Sequence, residues 1–233
     1  MRSLVVALDG LCALRELSGR QGPDPVAAAT LASLAGCDAV QLGVNEEGRP
    51  ANESDVRDVA RAAPVELRIA PTPSLAKVAL EARPARVVLA AEGREGGFGA
   101  PLDFRGLGPT LVSAVRTLRD AGLRVGALAA PDLEAVKAAH AAGVEAAYLW
   151  TGATLDLPEP SRRSALERLA DAARLAAKLR LEVGVCGALG LRDLPAVIAA
   201  APVVERVCVG RAFLARAQLL GIERAVRDLR EQI

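Results

Sequence analysis

The sequence predicts an α/β fold of the single (β/α)8 TIM-barrel class, with residues 1–233 as one domain. Three observations predict it. Short β-branched runs alternate with Ala/Leu/Arg-rich helical patterns from end to end. The short runs are apolar nearly throughout, as in a parallel sheet buried on both faces. Eight such pairs use up the 233 residues without a linker or a break in composition. An open doubly wound sheet is the competing arrangement, but eight repeats with no remainder favour closure. A chain of this length buries roughly 70–75% of its unfolded surface, so its core needs no covalent staple.

The strands are expected at Leu4–Leu8, Ala39–Gly43, Val65–Ala70, Arg86–Ala90, Arg124–Leu128, Ala146–Trp150, Leu181–Cys186 and Arg206–Val209. Helices are expected near 25–36, 53–63, 73–83, 108–121, 132–142, 161–179, 191–201 and 212–231. Pro25 after Asp24, Pro73–Ser74, Pro131–Asp132 and Pro160–Ser161 stand where a first helical turn begins. Gly36, Gly122 and Gly143 each close a helical run ahead of a strand, the place of a left-handed C-cap. The Gly-rich stretch 92–107 reads as a mobile lid between strand and helix.

Composition excludes several function classes. Lys+Arg 29 against Asp+Glu 28 gives a net charge of +1, without the basic excess that nucleic acid or an anionic membrane would require. Aromatic residues are 2% of the chain (Phe98, Phe104, Tyr148, Trp150 and Phe213), too few for a stacking platform for single strands. Cys12, Cys37, Cys186 and Cys208 contain no Cys-x-x-Cys pair, and His140 is the one histidine. No metal site is expected, and the four thiols read as buried small hydrophobes in a reducing compartment. No Walker or dinucleotide glycine motif opens a helix, so no cofactor is expected. The N-terminal apolar run is broken by Asp9, and no later stretch reaches membrane-spanning length. A cytoplasmic protein follows as the expectation.

In a barrel of this class the site lies at the C-terminal ends of the strands, with phosphate often bound by the loops after strands 7 and 8. Gly210 there ends strand 8 and Arg211 opens the last helix, so backbone N–H groups and a guanidinium meet. Gly187 would let the strand 7 loop approach the same anion. The alternative is that Gly210 merely turns the chain and Arg211 is a solvated charge. Tyr148 and Trp150, two apart, face the same way and either fill the pocket or wall a ligand. Alternation puts Glu66 and Arg68 on one face of strand 3 and Leu67 and Ile69 on the other. Either Arg68 points inward, where Asp9 is the plausible ion-pair partner, or it meets a helix. His140 reads as a surface histidine on a helix. Glu46 and Glu47 read as a solvated loop pair.

The motif order resembles the pyridoxine 5'-phosphate synthase family along essentially the whole chain. The resemblance rests on ALDGLCALRELSGRQGPDPVAAA (7–29), LAGCDAVQLGVNEEGRPANESDVR (34–57), ALEARPARVVLAAEGRE (79–95), LWTGA (149–153) and VERVCVGRAFLARAQLLGIERAV (204–226). It implies a (β/α)8 barrel, a homo-oligomer (usually an octamer), and metal-free condensation of deoxyxylulose phosphate with aminoacetone phosphate. Against the family pattern, Asn-x-Asp-His reads Ala7-Leu8-Asp9-Gly10 here, keeping only the Asp. His-x-Arg reads Gly43-Val44-Asn45, and Arg-Arg-His reads Gly48-Arg49-Pro50. The catalytic Glu position on strand 3 is Arg68, and Glu-x-His-Thr-Gly reads Tyr148-Leu149-Trp150-Thr151-Gly152. Gly-His-Gly reads Cys186-Gly187-Ala188, and Gly-His reads Gly210-Arg211. In the family's inter-subunit segment Leu-Arg-x-x-Arg-Gly, Arg15 remains and the second Arg is Ser18.

The family reaction needs groups that titrate near neutrality, and arginine, with a pKa above about 12, is not one. Loss of one general acid–base group costs about 10²–10⁴-fold. The sequence therefore reads as a divergent barrel, inactive in the family reaction, that binds a phosphorylated small molecule or inorganic phosphate, either as a binding or scaffold protein or as an enzyme repurposed for another phosphorylated substrate. Gly187, Gly210 and Arg211 hold the phosphate in that reading, and Asn45, Arg49, Trp150 and Thr151 line the rest. Asp9 and Arg68 form an ion pair or a new polar centre. The alternatives are a working pyridoxine 5'-phosphate synthase, and a non-catalytic assembly subunit joined to an intact paralogue.

Overall fold

The computed structural model describes residues 1–92, 99–155 and 157–233. The apolar runs form eight strands: β1 (Ser3–Ala7), β2 (Ala39–Gly43), β3 (Val65–Ile69), β4 (Arg86–Leu89), β5 (Val125–Ala129), β6 (Ala146–Trp150), β7 (Glu182–Gly187) and β8 (Arg206–Val209). They pair in parallel and in sequence order around a closed barrel. Closure is visible at Val5, whose register partners are Ala39 on β2 and Cys208 on β8.

Alternation along each strand divides the core. Leu4 and Val6, Val40 and Leu42, Leu67 and Ile69, Val87 and Leu89 face outward into one large apolar layer beneath the helices. Val5, Ala7, Ala39 and Cys208, and on the other side Val88, Leu128, Ala146 and Tyr148, face inward as two smaller clusters. The interior is filled by a few large side chains set against small ones. Tyr148 is fully buried. Its ring lies against Gly126 and Gly184, where an added Cβ would come within 2.9 and 2.8 Å of ring carbons.

The helices are α1 (Asp9–Ser18), α2 (Pro25–Leu34), α3 (Glu53–Ala60), α4 (Pro73–Ala82), α5 (Phe104–Asp120), α6 (Leu133–Ala141), α7 (Gly152–Leu155), α8 (Ser161–Lys178), α9 (Leu194–Ala200), α10 (Arg211–Leu220) and α11 (Ile222–Arg230). Side chains of Asp24, Asn52, Thr72, Asp103 and Asp132 accept from backbone N–H groups at the starts of α2, α3, α4, α5 and α6. Gly36, Gly122 and Gly143 adopt positive φ after α2, α5 and α6, as expected of C-caps.

Three differences from the sequence expectations have physical reasons. Helices α1 and α7 lie in segments where no helix is expected from the sequence: each follows directly on a strand end, and α1 spans ten residues. The single helix expected over 212–231 is two, because Gly221 at φ 82° ends α10 and begins α11. The stretch 92–107 is not wholly a loop: Asp103 caps α5, so residues 104–107 are helical, and the helix bends at Gly108 before Pro109. Ala91 and Ala100 bridge its flanks, and the segment 93–98 of the expected lid lies outside the described residues. No helix of the described residues is long and apolar enough to cross a membrane.

Candidate functional site

Polar side chains on inward-facing strand positions run through the barrel from its mouth towards the N-terminal ends of the strands. At the mouth, Asp9 heads α1 directly after β1. Its Oδ1 accepts from the Gly43 N–H at 2.6 Å, and its Oδ2 accepts from Arg68 Nη1 at 2.9 Å. Arg68 therefore points inward, as its alternation with outward Leu67 and Ile69 requires, and only 8% of it is exposed. The same Nη1 reaches Gln41 Oε1 at 3.2 Å, and Gln41 Nε2 donates to Glu66 at 3.4 Å.

Below Arg68 the column continues. Glu66 accepts from the Tyr148 hydroxyl at 2.7 Å and pairs with Arg206 at 3.1 Å. Arg86 donates to the Tyr148 oxygen at 3.2 Å, and Arg86 and Arg206 both pair with Glu182. Arg68, Arg86 and Arg206 thus meet Asp9, Glu66 and Glu182, and Arg124, half exposed at the edge, adds a further pair to Glu182 at 2.9 Å. Pairing matters here, because an unpaired buried charge is strongly destabilising. Burial pushes the Glu66 carboxyl up, and it raises the Tyr148 hydroxyl well above its ordinary value. Burial also acts to raise Glu182, but Arg86 and Arg206 outweigh it and hold that carboxyl at about 2.

Above the column, a cavity is lined by Ala7, Gln41, Arg68, Val88, Leu128, Trp150, Cys186, Gly187, Cys208, Gly210 and Arg211, and leaves about 30 Å³ for water-sized occupants. Gly187, Gly210, Arg211 and Trp150, picked out in the sequence, meet here together with Arg68. Gly210 is the N-cap of α10 and Arg211 is its first residue. Gly187 sits at φ 128° against the Thr151–Gly152 backbone, where a Cβ would come within 2.8 Å of the Gly152 nitrogen.

Other sequence candidates are engaged elsewhere. The Thr151 N–H and hydroxyl both donate to the Cys186 carbonyl, at 2.8 and 3.0 Å, tying β6 to β7. The Asn45 side chain accepts from the Glu47 and Arg49 N–H groups, closing its own turn, and Arg49 is exposed and lies 3.6 Å from Glu16. Neither Asn45 nor Arg49 is among the residues lining the cavity. Tyr148 lies a layer below the mouth rather than in it. Glu46 and Glu47 are exposed, and Glu46 accepts from the Thr72 and Ser74 hydroxyls. His140 is exposed on the last turn of α6, at the opposite end of the barrel from the mouth. Arg15 makes a bidentate pair with Asp55 of its own chain, at 2.5 and 2.7 Å.

Sequence reasoning did not single out Gln41, Cys186 and Cys208 as cavity residues, nor Arg86, Glu182 and Arg206 as the lower column. The signal was present for each: all occupy inward positions once the strand register is fixed. Among the described residues, no cluster of three or more His, Cys, Asp or Glu side chains is placed to hold a metal ion. The described cavity wall holds two guanidiniums and no histidine or carboxylate. Burial pushes its Cys186 thiol up to about 12 and Cys208 well above its ordinary value. Two guanidiniums on one cavity wall are able to recognise an anion.

Comparison with known proteins agrees with this frame. A family model described as pyridoxal phosphate biosynthesis protein PdxJ matches residues 4–233. The chain is 32% identical to pyridoxine 5'-phosphate synthase of Pelobacter propionicus over 241 residues, covering 100% of this chain and 99% of that protein. It is 33% identical to the enzyme of that name from Desulfatibacillum aliphaticivorans over 236 residues, covering 98% and 97%. Among solved structures, tryptophan synthase subunit alpha from Legionella pneumophila aligns with a TM-score of 0.65 at 16% identity, covering 100% of this chain and 92% of that one, a likeness of fold alone.

Proposed function

The chain belongs to the family of the pyridoxal phosphate biosynthesis protein PdxJ, and from that premise we propose that it binds a phosphorylated small molecule at the strand 7 and 8 ends without performing the family condensation at an enzymatic rate. The observation that carries this reading is the Arg68–Asp9 pair, 2.9 Å apart at the mouth of the barrel. It fills the centre of the mouth with a guanidinium that cannot take up a proton and a carboxylate committed to that guanidinium and to the Gly43 N–H. The neighbouring Gly187, Gly210 and Arg211 supply what an anion needs: close backbone approach, a helix N-terminus and a positive charge.

Two measurements test it. Titration with inorganic phosphate and with a triose phosphate should show binding that Arg211→Ala weakens about 10–100-fold, the worth of a charged hydrogen bond. Supplied with deoxyxylulose phosphate and aminoacetone phosphate, the protein should form no pyridoxine phosphate above background. Turnover near or above about 1 s⁻¹, ordinary for an enzyme, would overturn the loss of the reaction. Phosphate binding indifferent to Arg211→Ala would overturn the site.

A further inference from the structure

Cys186 on β7 and Cys208 on β8 are register partners on adjacent parallel strands. Neighbouring strands lie about 4.8 Å apart, so the two Cα atoms are separated by roughly that distance. Both side chains point into the barrel, where inward-facing bonds converge, and both line the mouth cavity. Apolar side chains pack on them, Val5, Ala7 and Ala39 around Cys208 and Trp150 and Leu128 on the other side, with Cys186 touching both groups, while Gln41, Arg68 and Arg211 line the same cavity. Cys12 and Cys37 have no such arrangement: Cys12 sits on α1, and Cys37 bonds the Ala39 carbonyl ahead of β2.

We propose that Cys186 and Cys208 form a two-sulfur site for a soft monovalent cation of the Cu(I) class at the wall of the mouth cavity. Donor number and type make the selection. Tetrahedral zinc needs four ligands and iron–sulfur clusters need more thiolates than two, whereas Cu(I) is selected by sulfur alone and tolerates a pair. No third His, Cys, Asp or Glu joins the two among the described residues. On binding, each thiol releases its proton to solvent as a Cu–S bond forms. The ion stays monovalent, no electrons are exchanged, and the bis-thiolate carries one negative charge. Burial raises both thiols most, and Glu66, joined at Cys208 by Asp9, acts the same way, so metal binding has to displace held protons. Arg68 in the same cavity acts in the opposite direction and favours the charge of the bis-thiolate. The site rests on the strand register, not on the anion-binding reading.

Anaerobic titration of the full chain with Cu(I), buffered by a bicinchoninate competitor, tests it. One ion per chain is expected, with affinity at least about 100-fold lower in Cys186→Ser and in Cys208→Ser and unchanged in Cys12→Ser and Cys37→Ser. Circular dichroism and thermal melting establish that each variant is folded. Should a serine variant not fold, copper K-edge absorption of the unaltered protein decides: two sulfur neighbours support the site, and a nitrogen or oxygen shell overturns it. Affinity unchanged by Cys186→Ser, or lost equally in Cys37→Ser, also overturns it.

Discussion

At Gly187 the backbone itself requires glycine. Its φ of 128° lies where side-chain-bearing residues are strained, and a Cβ there would meet the Gly152 and Thr151 backbone nitrogens at 2.8 and 3.1 Å. Gly187→Ala should therefore destabilise the fold by about 1–3 kcal/mol, measured as a lower urea midpoint at unchanged slope. It should also disturb the mouth cavity, because Thr151 fastens β6 to the carbonyl of Cys186 immediately before it. Arg68 shows the other residue-scale rule: a guanidinium tolerated inside the barrel because Asp9 and Gln41 meet it.

At the scale of elements, α3 shows how local sequence and tertiary contact converge on one side chain. Asn52 accepts from the Asp55 N–H, Asp55 accepts from the Asn52 N–H, and the same Asp55 receives Arg15 from α1. Asn52→Ala should cost about 1 kcal/mol, the worth of an N-cap, in equilibrium unfolding. Asp55→Ala should cost more, because it removes the reciprocal cap and leaves Arg15 without its bidentate partner. A cost for Asp55→Ala no greater than for Asn52→Ala would show that Arg15 adds nothing to the docking of α1. The α10–α11 break shows the limit of pattern reading: helical periodicity continues through Gly221, and only its φ of 82° reveals two helices.

For the whole molecule, the charged column through the barrel predicts acid sensitivity. Arg86 and Arg206 hold Glu182 at about 2 against an ordinary value of 4.5, so its ion pairs stabilise the fold fully above that ordinary value. That contribution is lost as pH falls from about 4.5 to about 2, and is on the order of 3 kcal/mol. Glu66 is shifted in the opposite direction by burial, so its protonation on acidification offsets part of the loss. Urea midpoints measured from pH 7 downward should fall through that window, and Glu182→Gln should flatten the fall while lowering stability at pH 7. An acid limb equally steep in Glu182→Gln would assign it to other carboxylates.

The sequence by itself determined the barrel and the order of its strands, because apolar runs buried on both faces repeat eight times and a parallel sheet is the arrangement that covers them. It also determined the meeting of Gly187, Gly210 and Arg211, since strand ends in a closed barrel necessarily converge. The tertiary structure alone decided which way Arg68 faces, because alternation gives two sets of residues without saying which is inside. It alone separated Asn45 and Arg49 from the cavity wall, since their engagement with a local turn and with Glu16 depends on loop path rather than spacing. And it alone assembled Glu66, Tyr148, Arg86, Glu182 and Arg206, which are far apart in sequence and become neighbours only through the register of closure.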